Sequence, residues 1–152
     1  MANSTQQLHI SSPAFAEGAD IPKIYTCQGE DINPELHIAG IPEDAVTLAL
    51  IVDDPDAPGA TFDHWVVWNI ERTAVIKERF NPGINGVNSA GRTGYHGPCP
   101  PSGSHRYYFR VYALDGHLDL SPGADKPALQ AAMEGHVLAE GVLMGRYRKS
   151  AD

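Results

Sequence analysis

Residues 46–70 read VTLALIVDDPDAPGATFDHWVVWNI, and this stretch decides the fold class. Its near-continuous apolar run at residues 46–53 is typical of a strand that is covered on both faces. The run ends where Pro55 and Pro58 each remove a backbone donor, so the chain can no longer pair in a sheet there. A second apolar run, rich in Val and Trp, follows at residues 64–70. We therefore predict two neighbouring antiparallel strands joined by a stiff loop.

The rest of the chain repeats this pattern of short apolar runs separated by Gly, Pro, Asn and Asp, which favours an all-β protein. In residues 105–114 the side chains alternate, which places His105 and Tyr107 on the same face of a strand. Trp65 and Trp68 are three positions apart, so they should face opposite sides of theirs. Further strands are predicted at residues 7–11, 36–39 and 105–114, and a weaker sixth candidate lies at residues 142–148.

Residues 125–140 have a different composition, rich in Ala, Leu, Met, Glu and Gln. Asp125 stands at the start of this segment and Gly141 follows its end, and both are typical boundary residues of a helix. Apolar residues recur every fourth position at Leu129, Met133 and Val137, so we predict a helix whose apolar stripe lies on the sheet. The fold class that follows is a β-sandwich or barrel with one late helix.

The chain has 152 residues with 42% hydrophobic side chains, which suits one domain, residues 1–152, around a single core. Its 11 basic and 19 acidic residues give a net charge of -8, so general nucleic-acid binding is excluded. No apolar run approaches the roughly 20 residues that span a bilayer, so we expect no stable membrane insertion. Neither a secretory signal nor an Arg-rich transit segment is visible, and we expect a cytoplasmic protein.

Cys27 and Cys99 are the only two cysteines of the sequence, and they show neither a CxxC motif nor a Cys/His spacing typical of structural zinc. In a reducing compartment such residues are expected to be two reduced thiols. A disulfide between them is the alternative, although no feature of the sequence supports it.

A candidate site can be assembled at the end of the strand predicted at residues 46–53. Carboxylates at Asp53, Asp54 and Asp56 lie there on the proline-stiffened loop, which is either a solvated turn or part of a preorganised site. Antiparallel pairing of the first two strands would bring Asp54 beside His64. Imidazole, phenol and backbone N–H donors at one place favour an oxyanion such as phosphate. The residues expected to converge are Asp54, Asp56, His64, His105, Tyr107 and the backbone of the proline-rich loop at residues 95–104.

Three motifs in order carry a resemblance to a known family. They are DPDAP at residues 54–58, HWVVWN at residues 64–69, and GPCPPSG at residues 97–103, which runs into His-Arg-Tyr at residues 105–107. The chain resembles the phosphatidylethanolamine-binding protein family over residues 15–148. It looks most like the bacterial and archaeal branch described as Raf kinase inhibitor-like proteins.

The resemblance implies an antiparallel two-sheet β-sandwich with a C-terminal helix and a small anion-binding pocket at one end. The loop of the third motif would contribute a backbone N–H, and the spacing admits either Gly97 or the position of Cys99. The pocket residues that the resemblance implies are Asp54, Asp56, His64, Gly97, Pro100, His105 and Tyr107.

The function that follows is a non-enzymatic binding protein for the phosphate or carboxylate group of a small ligand or of a modified protein partner, without a cofactor or metal. The resemblance also implies a regulator of a kinase or a protease, and a homodimer. One alternative is a hydrolase that uses His64 and His105 as acid and base with Asp54 as orienter, although no GxSxG motif is present. A second alternative is a divalent metal held by the same three residues, which lack a spacing signature such as HExxH.

Overall fold

The computed structural model describes residues 6–150, which contain nine strands, one α-helix and one 3-10 turn. The strands are β1 (Gln6–Gln7), β2 (His9–Ser11), β3 (Leu36–Ala39), β4 (Thr47–Asp54), β5 (Phe62–Glu71), β6 (Val75–Ile76), β7 (Ile84–Asn85), β8 (Ser104–Leu114) and β9 (Val137–Arg148). The 3-10 turn spans Lys23–Tyr25 and helix α1 spans Lys126–Met133. Residues 1–5 and 151–152, which the predicted domain includes, lie outside the described part.

The strands form two sheets. The larger has the order β1-β9-β8-β4-β5-β7 and the smaller the order β2-β3-β6. Strand β4 pairs antiparallel with both β5 and β8, as the sequence around residues 46–70 predicted for β5. The prediction of a mainly β chain with two sheets and a late helix is confirmed. Within residues 6–150 no helix is long and apolar enough to cross a bilayer.

Strand β4 is buried along its whole length. Leu48 and Leu50 pack in a core cluster to which both sheets contribute, while Ala49 and Ile51 pack in a second cluster with residues of α1. Successive side chains of a strand point to opposite faces, so one strand feeds both clusters. The near-continuous apolar run of β4 is therefore explained by cover on both faces, as predicted.

The strand predicted at residues 7–11 is corrected to two strands, β1 and β2, which belong to different sheets. The chain crosses from one sheet to the other at Leu8, whose side chain is buried between them. The Leu8 N–H donates to the Glu140 carbonyl of β9 at 2.9 Å, so the backbone is still paired at the crossing. Alternation along a run shows which residues are buried, but it does not show where a strand changes sheet.

The helix predicted at residues 125–140 is too long. Asp125 is its N-cap and accepts a hydrogen bond from the Ala128 N–H at 3.0 Å, but α1 ends at Met133. Glu134 leaves the helical conformation, with ψ of 128°, and Gly135 has φ of +81°, which ends the helix. Val137 continues the helical spacing of the apolar stripe, yet it lies in β9, because pairing with β8 extends back to it. The strand predicted at residues 142–148 therefore begins five residues earlier, at residue 137.

The prediction of two reduced thiols is wrong. Cys27 and Cys99 form a disulfide whose Cα atoms are 5.4 Å apart. The loop that contains Cys27 lies beside the loop that contains Cys99, because the Cys27 N–H donates to the Pro98 carbonyl at 3.1 Å. The cysteines are 72 residues apart in sequence, so only the tertiary structure shows that they meet.

Strand β5 contains an irregularity at Asn69, where φ is +53° and the register with β4 shifts. The Asn69 side chain holds the loop before α1. Its Nδ2 donates to the Leu118 carbonyl at 3.0 Å and its Oδ1 accepts from the Leu118 N–H at 2.7 Å. Asn is one of the few residues other than Gly that enter the left-handed region readily.

We predict that Asn69→Ala lowers the free energy of unfolding by about 2–3 kcal/mol, because it removes two hydrogen bonds and leaves a side chain with a Cβ at positive φ. Asn69→Gly, the matched control, loses the same hydrogen bonds but tolerates the backbone conformation, so it should cost less. Urea unfolding of both variants measures the difference. Equal losses would show that the positive φ contributes nothing.

We predict that the disulfide is present in the purified protein and contributes to stability. A thiol reagent should label no cysteine before reduction and two after it. Reduction should lower the free energy of unfolding by about 2–5 kcal/mol, because the closed loop is long. Two reactive thiols in the untreated, denatured protein would contradict the pairing.

Candidate functional site

A cavity of about 180 Å³ lies where β4 ends and where β5 and β8 begin. Asp54 is the last residue of β4, so it closes the strand instead of lying on the loop as predicted. Of the seven predicted site residues, five line the cavity, whereas Asp56 and Gly97 do not. The lining residues are Asp54, Ala57, Pro58, Phe62, His64, His96, Cys99, Pro100, Pro101, His105 and Tyr107.

Asp54 and His105 form a buried pair at one side of the cavity. The His105 Nδ1 and the Asp54 Oδ2 are 2.6 Å apart, and the two residues are 7% and 2% exposed. The other Asp54 oxygen, Oδ1, accepts from the Asp56 N–H at 2.8 Å. Since a carboxylate accepts and does not donate, His105 presents its Nδ1–H to Asp54. The His105 Nε2 has no hydrogen-bond partner among the described residues.

His64 is held by a neutral acceptor instead of a carboxylate. Its Nδ1 lies 2.5 Å from the His96 carbonyl, so Nδ1 carries the proton, and Nε2 has no partner in the described part of the chain. The ring is 4% exposed. Burial lowers the pKa of His64 below its usual 6.5, with a smaller lowering from His96 and opposing effects of the His96 carbonyl and of Asp54.

Tyr107 lies at the buried end of the cavity and is 0% exposed. Its hydroxyl has no hydrogen-bond partner of normal geometry among residues 6–150, although Asp54 and the backbone of Cys99 lie close to it. Burial, followed by the charge of Asp54, raises the pKa of Tyr107 well above its usual range. The hydroxyl therefore stays protonated and can donate a hydrogen bond.

The three aspartates of the proline-stiffened segment diverge. Asp56 turns away from the cavity and binds the Arg106 guanidinium, with Oδ1 2.8 Å from Nη2, while its Oδ2 accepts from the Arg106 N–H at 2.8 Å. The hydrogen bonds from Arg106 lower the pKa of Asp56 to about 2. Asp53 points to the opposite face of the sheet and pairs with Arg110 at 3.1 Å. Adjacent residues of a strand point to opposite faces, so Asp53 faces away from the cavity. Because Arg106 holds Asp56, only Asp54 of the three aspartates lines the cavity.

Gly97 is engaged elsewhere. Its N–H donates to the Asp31 Oδ1 at 2.7 Å, and a Cβ at this position would lie 2.5 Å from the Tyr25 carbonyl oxygen. The glycine is thus required for a close approach of two backbone segments. Cys99, the other position that the spacing admits, lines the cavity, and its backbone lies beside the Tyr107 hydroxyl.

Sequence reasoning missed two aromatic residues of the lining, His96 and Phe62. Phe62 lies two positions before His64 on β5, and their ring centroids are 4.7 Å apart. Residues two positions apart in a strand share a face, so the sequence could have indicated that Phe62 lies on the same side as His64. His96 lies in the proline-rich loop, and its position beside His64 had no signal in the sequence.

Two imidazole Nε2 atoms and one phenol hydroxyl thus line a small cavity, and none of them has a hydrogen bond of normal geometry to another residue of the described part of the chain. Such a set can hold a small group that both accepts and donates hydrogen bonds. Within residues 6–150 no group of three or more His, Cys, Asp or Glu residues is placed to bind a metal ion together. We therefore propose no metal at this site.

Comparison with known proteins identifies the family. The model of the family described as phosphatidylethanolamine-binding protein matches residues 11–148. A UPF0098 protein of Methanothermobacter thermautotrophicus is 48% identical over 150 residues, which cover 93% of this chain and 99% of that protein. A UPF0098 protein of Chlamydia muridarum is 43% identical over 152 residues, with 93% of this chain and 99% of that protein covered.

Two solved structures have the same fold. One is CT736 of Chlamydia trachomatis, described as a homologue of phosphatidylethanolamine-binding protein, with a TM-score of 0.91 and 40% identity over 96% of this chain and 100% of that chain. The other is YbcL of E. coli, with a TM-score of 0.85 and 24% identity over 95% of this chain and 99% of that chain, a likeness of fold alone. With a family model that matches all but the ends of the sequence and relatives that align along nearly their whole length, the chain belongs to the phosphatidylethanolamine-binding protein family.

Proposed function

We propose that this protein binds a small oxyanion of the phosphate or carboxylate type in the cavity at the end of β4, as a binding protein and not as an enzyme. The observation that carries the proposal is the unpartnered hydroxyl of Tyr107. A buried polar group without a partner costs about 1–3 kcal/mol. An oxygen of a bound anion would supply the missing acceptor.

The two histidines support the same ligand. When the His105 ring carries both protons, its charge is balanced by Asp54, and Nε2–H can donate to an anion. When His64 is neutral, its Nε2 accepts, which suits a ligand oxygen that carries a proton. The backbone N–H of Cys99, beside the Tyr107 hydroxyl, would be the backbone donor of the loop. Together these groups match an oxyanion better than they match a cation.

The size and lining of the cavity restrict the ligand. Its volume of about 180 Å³ lies below the roughly 300–1,000 Å³ of sites for drug-sized molecules. Apolar side chains of Phe62, Pro100 and Pro101 form much of the wall. A hydrogen bond to a charged ligand is stronger beside such apolar groups than in water. The ligand is thus a small anion or the anionic end of a larger molecule. A regulatory role toward a protein partner would use a phosphorylated side chain of that partner.

We predict that Tyr107→Phe weakens binding of inorganic phosphate about tenfold, because it removes one hydrogen bond to a charged ligand. The stability of the free protein should not fall, since the lost hydroxyl has no partner in it. Tyr108→Phe is the matched control. Tyr108 is the next residue of β8, and its hydroxyl contacts Arg106, outside the cavity.

The measurement is an NMR titration with inorganic phosphate that follows the histidine ring protons. Equal affinity of Tyr107→Phe and the parent protein would contradict the assignment of this hydroxyl. Release of phosphate from a phosphomonoester at this cavity would favour the hydrolase alternative.

We predict that sulfate binds more tightly as the pH falls from about 7 toward 5. His64 is neutral in the free protein because burial lowers its pKa, and protonation occurs at Nε2, the atom without a partner. An anion stabilises that protonated form, so binding takes up a proton, and one proton changes affinity at most tenfold per pH unit. Sulfate is used because its own charge does not change in this range.

Calorimetric titrations at several pH values measure the effect. In His64→Gln the part of the pH dependence due to this ring should disappear. The same slope in His64→Gln and the parent protein would show that another group takes up the proton.

A further inference from the structure

We infer that the Cys27–Cys99 disulfide regulates the anion cavity: the oxidised form holds one wall in the binding position, and reduction releases it and lowers ligand affinity. The inference rests on the proposed function. Its starting point is that Cys99 is both a disulfide partner and a lining residue of the cavity. The disulfide therefore connects Cys27 directly to residues 99–103, the segment that forms one wall of the cavity.

The wall segment, residues 99–103, has few hydrogen bonds to the rest of the chain, although Pro100 is buried. Cys99, Pro100 and Pro101 line the cavity. The two prolines have no backbone N–H to donate. Within residues 6–150, no hydrogen bond of normal geometry joins the wall segment to the rest of the chain. Apart from the contact between the Cys99 backbone and the Tyr107 hydroxyl, the disulfide is the one specific bond that holds this segment to the rest of the described residues between the Pro98 carbonyl and the start of β8.

The other end of the disulfide lies on a well-held anchor. Thr26 precedes Cys27, and its N–H and hydroxyl both donate to the Lys23 carbonyl, at 3.0 and 2.8 Å. Gln28 follows Cys27, and its Oε1 accepts from the Ser150 N–H at 3.0 Å. The disulfide connects a loosely held wall to a firmly held turn, so its loss should move the wall and not the anchor.

The part of the loop before the wall is held without the disulfide. The Gly97 N–H donates to Asp31, and the His96 N–H donates to the His64 carbonyl at 3.0 Å. The hydrogen bond between the His64 ring and the His96 carbonyl also belongs to this part of the loop, before the wall segment. Reduction should therefore leave His64 and His96 in place. The groups that it displaces are the Cys99 N–H and the proline wall.

The chemistry is thiol–disulfide exchange. Both cysteines are half-buried and neither is in the core, so we expect a small thiol reagent to reach the disulfide. A dithiol reductant attacks one sulfur, the Cys27–Cys99 bond breaks, and a mixed disulfide forms. The second thiol of the reductant then displaces the protein thiol. In total the protein disulfide takes up two electrons and two protons, and the reductant is oxidised to its cyclic disulfide.

The experiment measures inorganic phosphate binding by NMR titration to the oxidised protein, to the protein reduced with dithiothreitol, and to the protein reoxidised afterwards. We expect reduction to weaken binding at least about fivefold, because the wall must then be ordered when the ligand binds. Reoxidation should restore the affinity. Equal affinity in both redox states would overturn the inference.

Two variants separate release of the wall from loss of stability. Cys27→Ser with Cys99→Ser should bind phosphate as weakly as the reduced protein and should not respond to dithiothreitol. Asn69→Ala is the matched control, because it lowers stability at a position outside the cavity while the disulfide is intact. Weakened binding in Asn69→Ala to the same extent would overturn the inference, since the effect would then be one of general stability.

Backbone 15N relaxation tests the wall without any ligand. Reduction should lower the order parameters at Cys99, Ser102 and Gly103, while those of β4 and β8 stay high. Unchanged order parameters at these three amides would overturn the inference. If the oxidised protein binds no phosphate, the proposed function fails, and lower order parameters of the wall segment on reduction would still support the inferred release of the wall.

Discussion

Burial of β4 on both faces is the constraint on which the rest of the structure depends. A strand between two apolar clusters needs antiparallel neighbours on both edges to satisfy its backbone, and β5 and β8 supply them. Antiparallel pairing puts the starts of both neighbours beside the end of β4. The first residues of β5 and β8 include His64 and His105, and the last residue of β4 is Asp54. The cavity is a consequence of that shared edge.

Asp54 then decides how the cavity is organised. Its carboxylate is almost completely buried, a position that is costly for a charge without partners. One oxygen takes the His105 Nδ1–H and the other takes the Asp56 N–H, which offsets the cost and fixes one imidazole ring. His64 has only a neutral carbonyl as partner, so its burial is less well compensated and its pKa falls. The two rings that line the cavity are therefore chemically different, although the Nε2 of each has no partner among the described residues.

The strands at residues 46–70 and 105–114 were predictable because burial of one or both faces leaves a direct pattern in the sequence. Trp65 and Trp68 lie in opposite core clusters for the same reason. The end of α1 was not predictable from spacing, since Val137 fits the helical stripe and pairing with β8 overrides it. Asp56 was expected beside Asp54, but Arg106 on β8 holds it outside the cavity.

The sequence by itself determined the family resemblance, the strand that is buried on both faces, and five of the eleven residues that line the cavity. These features depend on local pattern and on motifs of a few residues. The tertiary structure alone decided that Cys27 meets Cys99, that Gly97 serves packing, and that the Tyr107 hydroxyl has no hydrogen bond of normal geometry within residues 6–150. Each of these depends on two segments far apart in the chain, and their distance in space is set by packing of the whole molecule, which no local pattern records.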